Sequence, residues 1–167
     1  KYHISDNVAD LMLRRLSKLP AETRELMMIA SCVGQRISLN WLSVISNSDL
    51  SYVAEHIWPI IEIGLMVPVN GGGNQIRILQ SEKDEHDGEL PYQVLIKFLH
   101  DRVQQAAYSL IPDEEISNIH LKIGRKLLEY LSREDLFDNI FTVVSQFNAV
   151  SPELLTEDER QKMSALN

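Results

Sequence analysis

The spacing of apolar residues changes from a helical period to a strand period and back, and this change constrains the fold more than any other feature. Upstream of residue 65, apolar side chains recur every three or four positions, as at Leu26, Ile29 and Val33, which predicts amphipathic helices. Over residues 65–99 the period is two, which predicts strands. From Asp101 the helical period returns and continues to the end of the chain. We therefore expect a mainly α protein with a small sheet.

Three segments of the strand-like region are predicted to be strands. Residues 65–69 form the first, and Pro68 predicts an edge position because proline has no amide hydrogen to donate. After a glycine-rich turn, a return strand is expected at 75–79, and a third strand at 92–99. Residues 82–89 carry five acids against one lysine, which is typical of a solvated loop.

The order of the predicted elements indicates two domains. Three helices, then strands around a loop, then a further helix is the order of a winged helix, which we expect to span residues 1–111 with the strands as its β wing. Residues 112–167 are predicted to form α-helical hairpins that lead into a helical repeat. Near the end of the chain, Thr156 and Glu159 have the spacing of a capping box, which predicts the start of a last helix.

The charge of the chain weighs against nucleic acid and membrane partners. The formal net charge is −8 and the isoelectric point about 5.1, so phosphate backbones and anionic lipid surfaces repel the chain. The helix that would read DNA in a winged helix, about residues 50–63, contains Glu55 and Glu62 but no lysine or arginine. We therefore expect neither partner, and a winged-helix DNA-binding domain is the weakest of the binding alternatives.

No residue pattern in the chain predicts catalysis, a metal site or a bound cofactor. The single cysteine, Cys32, cannot form an internal disulfide or a cysteine-based zinc site, and the five histidines show no metal-ligand spacing. The glycine cluster at 71–73 is followed by Asn74 instead of the lysine and hydroxyl residue of a phosphate-binding loop. We predict that the chain is not itself an enzyme.

The chain begins with Lys1 and has neither a signal-peptide pattern nor an apolar run of bilayer length. We expect a cytoplasmic segment of a longer protein.

The candidate binding residues are His100 and Asp101, at the junction between the last predicted strand and the following helix. A helix N-terminus offers free amide groups and the positive end of the helix dipole, and a histidine there can donate a hydrogen bond to a phosphate. Asp101 can cap the same helix. From spacing alone, a second interpretation stays open, in which Asp101 is only a cap and His100 only a boundary residue.

The residues around this junction resemble a known family. The stretch FLHDRVQQAAYSLIP at 98–112, followed by HLKIGR at 120–125, is similar to the predicted-ATPase region of large bacterial signalling proteins, as are LSKLP at 16–20 and EIGLM at 62–66. That region resembles the STAND class of AAA+-related NTPases. It typically lies between a Ser/Thr kinase domain and GAF plus histidine-kinase domains. The resemblance extends from about Val8 to Asn167.

The resemblance implies that a nucleotide-binding core with its phosphate loop lies upstream of this chain and supplies the ADP and ATP binding. In STAND proteins such as NOD-like receptors and plant resistance proteins, the winged helix carries a Met-His-Asp motif. Its histidine contacts the β-phosphate of ADP and holds the protein closed. The matching positions here are Leu99, His100 and Asp101, with leucine in place of methionine. The resemblance thus favours a nucleotide-sensing role for His100.

The leading hypothesis is a non-catalytic regulatory module of a signalling ATPase or kinase. Its winged helix would pack on the nucleotide-binding core of the same protein and couple the ADP or ATP state to a helical arm. Protein partners would bind that arm, and a homo-oligomer is possible. The alternative is a plain interaction scaffold, in which the helices after Pro112 present the partner surface.

Overall fold

A computed structural model describes residues 11–81 and 94–166 of the chain. The fold is mainly helical with one three-stranded sheet, which confirms the predicted mainly α class. The chain divides into two compact units, Lys1–Leu110 and Ile111–Asn167.

Unit 1 begins with helical turns at 11–16, and three full helices follow. These are α1 (Ala21–Val33), α2 (Leu39–Ser46) and α3 (Leu50–Glu62). Each boundary has a local cause in the sequence. Pro20 precedes α1, and Gly34 ends it at a φ of 145°, where a side chain would be strained. The Ser38 hydroxyl caps α2 by accepting from the Trp41 amide at 3.1 Å, as its position in the sequence predicts.

The sheet consists of β1 (Arg36–Ser38), β2 (Met66–Pro68) and β3 (Leu95–Phe98) in the spatial order β1-β3-β2, with both pairings antiparallel. Among the described residues β2 pairs only with β3, so the predicted edge position of Pro68 is confirmed. The central strand alternates as expected. Val94, Ile96 and Phe98 face the core, and each is at most 2% exposed.

The predicted return strand at 75–79 is wrong, because this segment lies within a helix, α4 (Gly73–Ser81). Ile76 is fully buried whereas Ile78 is 52% exposed, and a strand would have placed both on one face. The buried pair is instead Ile76 and Leu79, which have helical spacing. In the sheet, β3 is already paired on both sides, and the free edge of β2, where a hairpin return strand would pair, carries Pro68. The acidic loop predicted at 82–89 lies outside the described residues.

α4 packs against α3 through polar as well as apolar groups. The Arg77 guanidinium lies 5.0 Å from the centre of the Trp58 ring, and the Gln80 side chain donates to the Ala54 carbonyl at 3.1 Å. Unit 1 then closes with α5 (Asp101–Tyr108), which packs against α1.

Unit 2 is entirely helical over its described residues. It comprises α6 (Asp113–Tyr130), α7 (Arg133–Asp138), α8 (Ile140–Asn148), a 3-10 turn (Pro152–Leu154) and α9 (Glu157–Leu166). Its core lies between α6 and α8. The predicted capping box at the start of α9 is confirmed, since Thr156 and Glu159 exchange hydrogen bonds of 2.8 and 3.2 Å between their amides and side chains.

Candidate functional site

Hydrogen bonds fix the end of β3 to the residues that directly precede the two neighbouring strands. The Phe98 amide donates to the Gln35 carbonyl at 3.1 Å, and the Gln35 side chain donates back to the Phe98 carbonyl at 3.1 Å. On the other side, the Leu99 amide donates to the Leu65 carbonyl at 3.0 Å. The backbone that leads into His100 is therefore fixed on both sides.

The helix that follows is anchored at its inner face. Val103, Ala106 and Ala107 are buried, and the Gln104 side chain donates to the Ser31 carbonyl of α1 at 3.0 Å. A fixed strand end and an anchored helix together define the position of the residue between them.

His100 is exposed and occupies the N-cap position of α5 without making a side-chain capping hydrogen bond. Its carbonyl accepts from the Val103 amide at 2.9 Å and from the Gln104 amide at 3.4 Å. The amides of Asp101 and Arg102 precede these bonds, as the first amides of a helix do. The positive end of the helix dipole therefore faces the surface beside an exposed imidazole.

Asp101 is exposed and does not cap α5, because the N-cap position belongs to His100. Asp101 is the first helical residue, where its carboxylate interacts favourably with the helix dipole without filling the cap. The capping role suggested for Asp101 is therefore wrong. The role of His100 in nucleotide sensing stays a prediction.

Two cations lie side by side on adjacent strands of the sheet, and one of them, Lys97, is three residues before His100 in the sequence. Arg36 of β1 and Lys97 of β3 are register partners, so their side chains leave the same face of the sheet. Arg36 is exposed and Lys97 is half-buried, and among the described residues neither has an ion-pair partner. The two positive charges increase the electrostatic potential on that face of the sheet. Because like charges directly opposite each other repel, the pair also lowers the stability of the sheet. The sequence did not reveal the pair, because a three-residue strand is too short to show a period.

The remaining candidate groups have structural roles. His120 is buried, and its Nδ1 lies 2.8 Å from the Gln146 side-chain oxygen, whereas His56 Nδ1 lies 2.8 Å from the Tyr52 carbonyl. Burial raises the pKa of the Cys32 thiol to about 12, with the Ser31 hydrogen bond acting in the opposite direction, so this thiol is a poor nucleophile. No group of three or more histidine, cysteine or acidic side chains in the described ranges could hold a metal ion.

None of the helices in the described part of the chain combines the length and apolar character needed to cross a membrane.

The chain is distantly similar to a segment of a signal-transduction kinase. Hybrid signal transduction histidine kinase G of Dictyostelium discoideum is 25% identical over 197 aligned residues, and the match covers 100% of this chain. The chain spans about 6% of the length of that protein. No protein-family model matches the chain, and no solved structure matches it. The similarity supports the expected relationship to signalling kinases at this general level.

Proposed function

We propose that the chain is a non-catalytic regulatory segment of a multidomain signalling ATPase or kinase. Unit 1 packs against a nucleotide-binding core of the same protein, and His100 contacts a phosphate of the bound ADP. The similarity to a hybrid signal transduction histidine kinase along the whole chain supports the signalling role. The STAND-like residues around His100 support the nucleotide-sensing role.

The topology of unit 1 supports its assignment as a winged helix. A helix, a short strand, two helices and two further strands follow in order, and the last strand lies between the other two. α4 is inserted between β2 and β3, where a winged helix carries its wing. A winged helix can pack against another protein domain instead of binding DNA, because a fold does not determine its function.

The observation that carries the proposal is the open N-terminus of α5. The exposed His100 imidazole and the free first amides of α5 place several hydrogen-bond donors at one helix end, beside the Asp101 carboxylate, on a chain whose net charge is −8. Donors of this kind bind phosphate oxygens, and a helix of eight residues contributes its dipole.

In this account His100 donates a hydrogen bond to the β-phosphate of ADP, while the first amides of α5 face the same anion. Exchange for ATP breaks this contact, and unit 1 is released from the core. The contact therefore biases a two-state element, as phosphate contacts do in other nucleotide switches.

DNA binding through α3 is disfavoured on two grounds. The helix carries exposed Glu55 and Glu62 without a lysine or arginine, so it has no cation for phosphates or base edges. In addition, α4 packs against α3 and covers part of its surface.

The substitution His100→Ala tests the sensor role in a longer chain that includes the upstream core. Loss of one hydrogen bond to a charged phosphate weakens binding by about 1.5–3 kcal/mol, so ADP should dissociate roughly 10- to 100-fold faster. Stopped-flow release of a fluorescent ADP analogue measures this rate.

His56→Ala is the matched control, since it removes a second histidine of unit 1 that lies on α3 and not at the α5 N-terminus. Its release rate should equal that of the wild type. Equal rates for wild type and His100→Ala would exclude the sensor role.

A further inference from the structure

Two aromatic side chains of unit 2 lie almost entirely in solvent. Phe137 is 80% exposed and Phe141 is 86% exposed, whereas Phe98 and Phe147, the other two phenylalanines of the chain, are at most 2% exposed. Phenylalanine is among the residues most often buried, so a neighbouring pair at this exposure requires an explanation.

The two rings do not contribute to the core of unit 2. α8 turns a separate stripe inward, and its buried apolar members are Val143, Val144 and Phe147. Phe137 lies on α7 and Phe141 on α8, four residues apart in the sequence across the break at Asn139. Together they leave roughly 300 Å² of aromatic surface in water, which is at the lower end of the largest apolar patches on monomeric proteins, and such patches are often functional.

Exposed carboxylates lie close to Phe137 in the sequence of α7. α7 carries Glu134, Asp135 and Asp138 against the single cation Arg133, and all four are exposed. Asp135 accepts from the Ser132 hydroxyl, but within the described residues no ion pair involves any of the four. The surface is therefore apolar at its centre and negative at its rim.

We propose that Phe137 and Phe141, with Glu134 and Asp138 at the rim, form a docking surface for a cationic amphipathic helix of a partner protein. The apolar face of such a helix covers the two rings, and its lysine and arginine side chains meet the carboxylates. The surface gives a location and a chemistry to the partner binding that the sequence predicts for the helical arm. It does not depend on nucleotide sensing.

Two other occupants fit the charges poorly. A second copy of the chain would bring the same carboxylates face to face in a symmetric contact, on a protein whose net charge is already −8. An anionic membrane would be repelled for the same reason.

The test measures peptide binding to the 167-residue chain without nucleotide. The probe is a fluorescein-labelled helical peptide of about 18 residues, with leucines at i, i+3, i+4 and i+7 and lysines on the other faces. Fluorescence anisotropy should show saturable binding. A peptide with glutamate in place of lysine should bind about tenfold more weakly or not at all.

Three variants locate the binding. Phe137→Gln combined with Phe141→Gln should weaken binding by about tenfold or more, while circular dichroism stays that of the wild type because both side chains lie outside the core. Glu134→Lys combined with Asp138→Lys should reverse the preference towards the glutamate peptide. The control Leu154→Gln removes another exposed apolar residue of unit 2 and should leave binding unchanged.

Several outcomes would overturn the docking surface. These are a lysine peptide that does not bind, a double phenylalanine variant that binds like the wild type, and a concentration-dependent dimer in sedimentation that the double variant abolishes. The last result would assign the surface to a second copy. None of them bears on ADP release, so failure here leaves the His100 role standing.

Discussion

Gly124 of α6 decides how closely α6 and α8 approach each other. A Cβ at this position would lie 2.7–3.1 Å from three atoms of the buried Phe147 ring, which is closer than carbon atoms pack. Gly124→Ala should therefore destabilise unit 2. Overpacking costs about 1–3 kcal/mol and exceeds the gain of about 1 kcal/mol from better helix propensity, so a net loss of about 1 kcal/mol is expected. Urea unfolding of the chain measures it.

Gly73→Ala is the control for this change. Gly73 is also helical, at the start of α4, but its Cβ would meet only Pro68 Cγ at an ordinary 3.7 Å. Its unfolding midpoint should differ little from that of the wild type. If Gly124→Ala were as stable as Gly73→Ala, the close approach of α6 and α8 would not depend on the missing side chain.

Glu159 links α9 to α6 through a bidentate salt bridge with Arg125. Arg125 Nε donates to Glu159 Oε1 at 2.6 Å, and Arg125 Nη2 donates to Glu159 Oε2 at 3.0 Å. The Arg125 guanidinium, helped by Thr156, lowers the pKa of this carboxyl from 4.5 to about 2. A lowered pKa means that the folded state favours the ionised carboxylate. Its contribution to stability is therefore present above pH 4.5 and is lost as the pH falls towards 2.

Glu159→Gln should consequently reduce the loss of stability that acid causes. The decrease in urea midpoint between about pH 6 and about pH 3 should be smaller in this variant than in the wild type. Glu153→Gln is the control, since Glu153 is exposed and makes no ion pair among the described residues. The same acid response in Glu159→Gln and wild type would show that the Arg125 contact adds nothing to folding.

At the level of elements, alternation of apolar residues predicted one strand correctly and mistook part of a helix for another. β3 was predictable because Val94, Ile96 and Phe98 alternate and the charged Asp101 begins a helix directly afterwards. Residues 75–79 alternate equally well but form part of α4, because strand pairing depends on distant partners that a short pattern cannot reveal.

The same distinction between local signals and contacts of distant residues applies to the candidate sites. The strand-to-helix junction at His100 was predictable, since local signals define both of its elements. The Arg36–Lys97 pair was not, because it depends on strand register. Phe137 and Phe141 had a usable signal, since both lie off the apolar stripe that begins at Leu136, yet exposure is visible only in the folded unit.

At the scale of the whole molecule, the structure offers two separate surfaces on two compact units. Nucleotide sensing is proposed for the α5 N-terminus of unit 1, and docking of a cationic helix is proposed for the aromatic surface of unit 2. The chain matches 6% of the length of a hybrid histidine kinase, which fits the proposal that it works inside a larger signalling protein.

Hydrogen exchange in a longer chain that includes the nucleotide-binding core tests this account most directly. Amides that face a bound phosphate should exchange more slowly, so peptides covering residues 95–108 should be protected with ADP and lose that protection with a non-hydrolysable ATP analogue. The same exchange in both nucleotide states would contradict the proposal that unit 1 senses the nucleotide through His100.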